Sequence, residues 1–477
     1  MTHTLHTPAS ECTAVHDALK DTFNSGKTRP LSWRKHQLLQ LARLVQENAD
    51  ALAETELKDL GKPKQETFFA EVGLIVQRSV LSASSVEEWA QPDVPEVPDW
   101  QKPWRPVVYK HPKGIVLIIA PWNYPIFLSL HALIGAIAAG CTAVIKPSEY
   151  APSYAKLIAE LLPKYLDASA FRIVNGGVPE TSRLLELQWD HIFYTGGGKV
   201  AQIVSVAAAK YLTPVSLELG GKNPVIIDPA YDLNLAAKRI LWGKINNAGQ
   251  LCVSPDYVLI RRDQQDEFVE ALKAHYKAFY PDGALNSTSY GRILNSGHHS
   301  RLTSLLERTS GTVAFGGTVV APHGFEPTVV TNVTGEDALM EDEIFGPILA
   351  IVPVEDIDEA IRFVNARPHA LVLYPFTEDA ALKKRFIEQT ASGSIVFNDN
   401  FIQLAVNEIP FAGLGASGHG LQTMKHSFDG FTHLRGSIDV PREAEAVLEM
   451  RYPPYDEQSD RFKGMTAAVR TVIPDDE

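Results

Sequence analysis

The chain has 477 residues, 45% of them hydrophobic, enough material for two large cores. A formal charge of −13 argues against nucleic acid or an anionic membrane surface as a main partner, since both require clustered Lys and Arg. Three cysteines cannot make a disulfide framework and point to a reducing, cytoplasmic compartment.

In chain order, Met1-Thr2-His3-Thr4-Leu5-His6 lacks the basic and apolar regions of a signal peptide. Residues 12–90 read as helices, with Leu38, Leu39, Leu41, Ala42, Leu44 and Val45 at helical spacing among polar residues. Pro92, Pro95, Pro98, Pro103, Pro106 and Pro112 then break the pattern and predict an excursion from the compact domain. From 114 onward strands (114–120, 141–145, 171–174, 191–194) alternate with helices (126–139, 152–162, 179–187, 198–211). That alternation predicts right-handed crossovers and a parallel sheet covered on both faces. The most apolar stretch, 127–145, contains Ser129, His131, Gly135, Gly140 and Thr142. It divides into a helix, a glycine stop and a strand rather than a membrane span. A second series, 223–398, has strands at 225–228, 257–260, 348–352, 372–376 and 394–397, with helices near 233–245, 264–278, 298–308, 356–364 and 378–389. The expected fold is α/β with two doubly wound parallel-sheet domains. Their boundary falls near 215–222, and the chain beyond 405 is Gly-rich, then irregular, then charged past Pro453.

Three motifs carry chemistry. Cys252 lies in Asn247-Ala248-Gly249-Gln250-Leu251-Cys252-Val253-Ser254-Pro255, a glycine-punctuated turn whose backbone N–H groups can point inward. Read alone, such a cysteine is most often core filling, as Cys141 in its apolar strand is expected to be; Cys12 carries no signal. Glu218, between Leu217 and Leu219, is expected to have a raised pKa suited to a base for water, the alternative being a strand-end Glu turned to solvent. Gly220-Gly221-Lys222 lacks the spacer and hydroxyl of a phosphate loop. Asn123, in Ala120-Pro121-Trp122-Asn123-Tyr124-Pro125, follows a strand at the end where open α/β sheets place ligands. There its amide can face a developing oxyanion, or serve only as a turn residue. Phe193-Tyr194-Thr195-Gly196-Gly197-Gly198-Lys199-Val200-Ala201 leads from strand to helix, where a backbone can approach a pyrophosphate. No residues suggest a metal site. Tyr124, Phe127, Leu128, Leu251, Phe401 and Leu404 flank the motifs and suggest an apolar channel, or equally core packing.

With these motifs in this order, residues 30–455 resemble the NAD(P)-dependent aldehyde dehydrogenase superfamily. Gln250-Leu251-Cys252-Val253-Ser254-Pro255-Asp256-Tyr257, Leu212-Thr213-Pro214-Val215 and Arg451-Tyr452-Pro453-Pro454-Tyr455 resemble its class 3 branch, which handles fatty and aromatic aldehydes. The resemblance implies Cys252 as nucleophile, Glu218 as base and Asn123 as oxyanion donor. It assigns Trp122, Lys146, Glu149, Thr195, Gly196, Gly197, Gly198, Ala201, Leu219, Glu343 and Phe345 to the cofactor. Glu149 beside the ribose favours NAD, with NADP also possible. Gly197-Gly198 stand where the family usually has Ser-Thr, and Ala201 and Ala412 where it has Gly. The implied domains are 1–90 with 114–216 for NAD(P), 217–404 for catalysis, 91–113 with 405–440 as a β oligomerisation arm, and 441–477 as a tail. A homodimer is implied, and the tail lacks the apolar anchor of some fatty-aldehyde relatives. The rivals are a coenzyme A-acylating relative, which typically lacks the Glu at 218, and a catalytically silent protein on the same scaffold. A papain-like hydrolase would need a partner His that no motif places.

Overall fold

Ile115–Ile119 is buried along its whole length, as a continuous apolar run must be when helices cover both faces of a parallel sheet. In this computed structural model, which describes residues 6–474, it lies inside a six-stranded sheet. The sheet runs Gly418–His419, Val215–Leu219, His191–Gly196, Ile115–Ile119, Thr142–Lys146, Phe171–Ile173. All neighbours are parallel except the Gly418–His419 edge. The chain builds outward from Ile115–Ile119 to Phe171–Ile173, then crosses back to His191–Gly196. The switch point therefore lies between Ile115–Ile119 and His191–Gly196, where such sheets open a crevice at their carboxyl ends. Helix Pro125–Ala139 follows the first of these strands and ends at Gly140, whose φ of +91° and contact with the Arg34 guanidinium leave no room for a side chain. Residues 1–5 and 475–477, where the expected leaderless start and acidic end fall, lie outside the described residues.

The second sheet has seven strands in the order Ser394–Ile395, Val372–Phe376, Pro224–Ile227, Tyr257–Arg261, Ile348–Val354, Thr328–Thr331, Thr312–Phe315. Sequence periodicity misses the last two, and Thr312–Phe315 is antiparallel, so this sheet is not wholly parallel. Both strands are only four residues long and lack a sustained alternating pattern.

The chain forms two compact units, one of residues up to Trp89 with Pro112–Thr432, the other of Ala90–His111 with residues from His433 on. The expected boundaries shift in three ways. The division at 217 falls inside Val215–Leu219, which belongs to the first sheet because its backbone completes the His191–Gly196 ladder. Residues 405–432 join the large unit, Gly418 pairing with Glu218, rather than belonging to an arm. The residues from 441, expected as a separate tail, group with Ala90–His111. Within the smaller unit, the Asp439 N–H donates to the Trp104 carbonyl at 2.8 Å and Arg105 pairs with Asp439 at 2.7 Å. The strands Val107–Pro112 and Thr432–Ser437, all but one residue of each in the smaller unit, make a two-stranded sheet. Among the described residues no helix is long and apolar enough to cross a membrane.

Candidate active site

Cys252 lies between helix Leu233–Ile245 and strand Tyr257–Arg261, at the amino edge of the second sheet. Asn247, Ala248 and Gly249 take left-handed φ values of 47°, 51° and 72° in succession, backbone strain of the kind that collects at functional sites. Gly249 is required there, since a Cβ would come within 2.3 Å of the Gly346 carbonyl oxygen. Side chains hold the strained turn. The Asn247 N–H donates to Glu66 at 2.9 Å. Gln250 Nε2 donates to the carbonyls of Asn247 and Arg292, both at 3.0 Å. Asn223 Nδ2 donates to the carbonyls of Cys252 at 2.7 Å and Ser254 at 3.0 Å. Burial pushes the Cys252 thiol up to about 12, and Glu343 and Glu218 raise it further, while the N–H groups of Cys252 and Val253 oppose the rise. At neutral pH the sulfur is a thiol.

Asn123 reaches this loop from the first sheet. Its Nδ2 donates to the Gln250 carbonyl at 3.1 Å, and its own carbonyl accepts from Asn247 Nδ2 and Lys62 Nζ, both at 2.9 Å. The carboxyl edge of one sheet thus meets the amino edge of the other at a seam. Beneath it Lys62 is wholly buried, 2.8 Å from Glu56 and 2.5 Å from Glu71, and lies 3.8 Å from the Tyr124 ring centroid. Glu71 in turn accepts the N–H groups of Ile126 and Phe127 at 3.0 and 3.1 Å, occupying the positive end of helix Pro125–Ala139.

Glu218 is 4% exposed, so it does not turn to solvent. Neither carboxyl oxygen makes a well-formed hydrogen bond, and Gln422, its one stabilising neighbour, does not offset burial, which raises its pKa well above the usual range. Its charge acts on Cys252, as does that of Glu343. Glu343 packs on the backbone of Gly220, where a Cβ would sit 2.1 Å from its carboxyl oxygen. Burial, with Asp256 nearby, pushes Glu343 up to about 8. Phe345 meets the Trp122 ring edge-on at 5.5 Å.

The remaining sequence-predicted residues gather at the crevice of the first sheet. Lys146 ends its strand and pairs with Glu149 at 2.9 Å while donating to the Gly176 carbonyl at 2.9 Å. Gly197 caps helix Gly198–Ala209, and a Cβ on Gly197 or Gly198 would meet nothing within 4 Å, so the backbone there faces open space. Thr195 Oγ1 is buried without a hydrogen-bond partner among the described residues. Gly196 and Leu219 end paired strands, and Ala201 is buried one turn into the helix. An orphaned hydroxyl, a side-chain-free helix N-terminus and an adjacent Lys–Glu pair fit a dinucleotide's pyrophosphate and ribose.

A cavity of about 230 Å³ opens beside Cys252. All six residues of the expected channel line it: Tyr124, Phe127, Leu128, Leu251, Phe401 and Leu404. Sequence reasoning missed Lys62, Glu66, Glu71 and Asn223, which with Gln250 of the expected tight loop fix the seam.

A doubly wound sheet with such a crevice defines the class, a dinucleotide-dependent α/β enzyme. Comparison with known proteins is specific. The model of the aldehyde dehydrogenase family matches residues 2–436, and the chain belongs to that family. It is 44% identical to rat "Aldehyde dehydrogenase family 3 member A2", covering 92% of this chain and 90% of the relative. It is 40% identical to dog "Aldehyde dehydrogenase, dimeric NADP-preferring", covering 93% and 98%. The structure titled "Substrate bound state of Staphylococcus Aureus AldH" superposes with a TM-score of 0.92 at 38% identity, covering 96% of this chain and 99% of that one. The protein is an NAD(P)-dependent aldehyde dehydrogenase.

Proposed function

We propose that this protein oxidises apolar, fatty or aromatic aldehydes to carboxylic acids through a thioester on Cys252. The observation that carries this reading is the seam itself. Cys252 borders an apolar cavity, Asn123 is hydrogen-bonded to its loop, and the unpaired carboxyl of Glu218 acts on the same sulfur. In this reading Cys252 loses its proton and attacks the aldehyde carbon. The Asn123 amide and the Cys252 N–H receive the resulting oxyanion. NAD(P)⁺, when bound, would supply the acceptor for the aldehyde hydride, the two-electron oxidation that a thioester on Cys252 requires. Glu218 takes a proton from water, which adds to that thioester and releases the acid and the thiol. Per turnover, aldehyde, water and NAD(P)⁺ give carboxylate, NAD(P)H and two protons. Glu218 favours water over coenzyme A as the acceptor.

Lys146 and Glu149 would hold the adenosine ribose, Thr195 with Gly196, Gly197, Gly198 and Ala201 the pyrophosphate, and Glu343 with Phe345, Trp122 and Leu219 the nicotinamide end. The Glu149 carboxylate favours NAD over a 2′-phosphate. The dog relative's name describes a dimer, and by that likeness this chain is proposed as a homodimer, the smaller unit serving as its arm. Three free thiols fit a reducing, cytoplasmic setting. The test is Cys252→Ala: it should abolish aldehyde-dependent NADH formation while leaving cofactor binding intact. Turnover at the wild-type rate would refute the reading.

A further inference from the structure

The cavity beside Cys252 is lined mainly by apolar side chains; Asn246, Asp399, Asn400, Gln422 and Thr423 also reach it, Asp399 lying 3.9 Å from Arg239, and Arg78 and His131 are its buried basic groups. Tyr124, Phe127, Leu128 and His131 repeat at helical spacing along Pro125–Ala139 and all line it. Tyr124 feels the charge of Cys252 and marks the reacting end. His131 lies seven residues further, about 10 Å along the helix axis. It is 2% exposed, and neither ring nitrogen has a hydrogen-bond partner among the described residues. A buried polar ring without partners is costly unless something completes it. Near it stands Arg78, at helical spacing from Ala70 and Leu74, also 2% exposed. Its Nε donates to Asn407 at 3.0 Å and Nη2 to the Leu404 carbonyl at 2.5 Å, both neutral acceptors. No carboxylate opposes the effect of burial, which lowers Arg78 to about 10. The Phe127 ring joins the two, stacked on His131 at 4.9 Å with the guanidinium 5.5 Å from its centroid. Burial, then the charge of Arg78, holds His131 neutral, so one ring nitrogen remains a donor.

A buried cation that no carboxylate among the described residues compensates, beside an unpartnered donor on a largely apolar cavity, calls for an anion at the end of an apolar chain. Building on the reading of Cys252 as nucleophile, we infer that Arg78 and His131 form a distal carboxylate subsite. The substrate class is then an aldehyde with a carboxylate at the far end of an apolar chain, oxidised to the dicarboxylate. The chain spans the apolar segment lined by Phe127 and Leu128 while the aldehyde meets Cys252.

The test compares kcat/KM for ω-oxo-carboxylates and methyl-ended alkanals over a series of matched chain lengths, with ω-hydroxy aldehydes as neutral polar controls. It uses the full chain with NAD⁺. Wild type should prefer the carboxylates at an intermediate length. Arg78→Met and His131→Phe should each lower the carboxylate-to-alkanal ratio by about 10- to 100-fold, the range of a charged hydrogen bond. Arg78→Lys should retain part of the preference, which separates charge from folding if Arg78→Met does not fold. Calorimetric binding of the product dicarboxylates against monocarboxylates of the same length gives a readout independent of turnover. A ratio unmoved by His131→Phe and Arg78→Lys, or equal treatment of hydroxy and carboxylate ends, would overturn the subsite. A protein that oxidises no aldehyde while still favouring dicarboxylates in binding would sink the catalytic reading instead.

Discussion

Lys62→Met separates what holds the seam together from what reacts there. Lys62 is wholly buried between Glu56 and Glu71, with its Nζ 2.8 and 2.5 Å from their oxygens and 2.9 Å from the Asn123 carbonyl. Burial alone would lower its pKa, but the two carboxylates raise it above the usual value. Burial and then Glu71 raise Glu56 well above the carboxylate range while Lys62 opposes the rise, so Glu71 depends on the ammonium more than Glu56 does. Methionine fills the space and leaves Glu71 facing no cation, at a cost of about 3–5 kcal/mol. That is a large share of a stability of about 5–15 kcal/mol. Denaturant unfolding of the single variant should show this loss. Adding Glu71→Gln removes the stranded charge and should recover at least about half of it, since an uncharged replacement for a buried pair is often close to neutral. Activity should not fully return, because the carbonyl of Asn123 keeps only Asn247 Nδ2 of its two donors and the oxyanion donor is held less firmly. A loss under about 1 kcal/mol, below the range for a broken buried pair, would refute the account of the cluster. A double variant no more stable than the single one would do the same.

Glu218→Gln should give one burst of NADH per site and then stall, with steady-state turnover down about 10²- to 10⁴-fold, the range for a general base. Quench-flow trapping of labelled acyl-enzyme checks this, and full turnover would remove Glu218 from hydrolysis. The same substitution bears on stability. The folded pKa of Glu218 is raised, so the native state binds more protons than the unfolded chain once pH exceeds the ordinary carboxylate value. Wild-type stability should fall as pH rises through that window, and Glu218→Gln should gain on it from pH ~5 to ~8. Unfolding midpoints at the two pH values decide. Asn123→Ala should cost about 10²- to 10³-fold in kcat, as expected for one oxyanion donor; an effect confined to KM would argue against that role. Gly197→Ala meets no protein atom, so its melting temperature should stay put while the KM for NAD⁺ rises several-fold. An unchanged KM would place the pyrophosphate elsewhere.

Much of this was legible in the sequence because the first sheet announces itself. Ile115–Ile119 and Thr142–Lys146 are unbroken buried runs, and each crossover helix keeps its own period. The cavity wall was legible for the same reason, since Tyr124, Phe127 and Leu128 repeat along one helical face. The sheet that owns Glu218 was not. Val215–Leu219 reads equally well as the close of one domain or the start of the next, and only its pairing with His191–Gly196 and Gly418–His419 decides. The clamp on Asn123 was also hidden. Lys62 and Glu71 contact the Asn123 turn and helix Pro125–Ala139 across more than fifty residues of chain, a distance at which no local period carries information. His131 looked like one polar residue in an apolar helix, and only the absence of partners around it gives it meaning.

The resting electrostatics of the seam also bear on how such a nucleophile survives. Cys252 is pushed up to about 12, Glu343 to about 8 and Glu218 well above its ordinary value, all chiefly by burial. Near neutral pH the sulfur therefore stays a thiol, and the neighbouring carboxyls do not repel a thiolate because none is present. Oxidation and alkylation proceed through the thiolate, so a sulfur kept as a thiol is protected from both. The consequence is a pH profile set by proton removal. Inactivation of the free enzyme by iodoacetamide should be slow at pH ~7 and climb steadily through pH ~9 without a plateau, because the thiolate fraction of such a high-pKa thiol is still rising there. A plateau below about pH 8 would mean that the thiolate is stabilised in the free protein, and the seam would then have to store charge rather than suppress it.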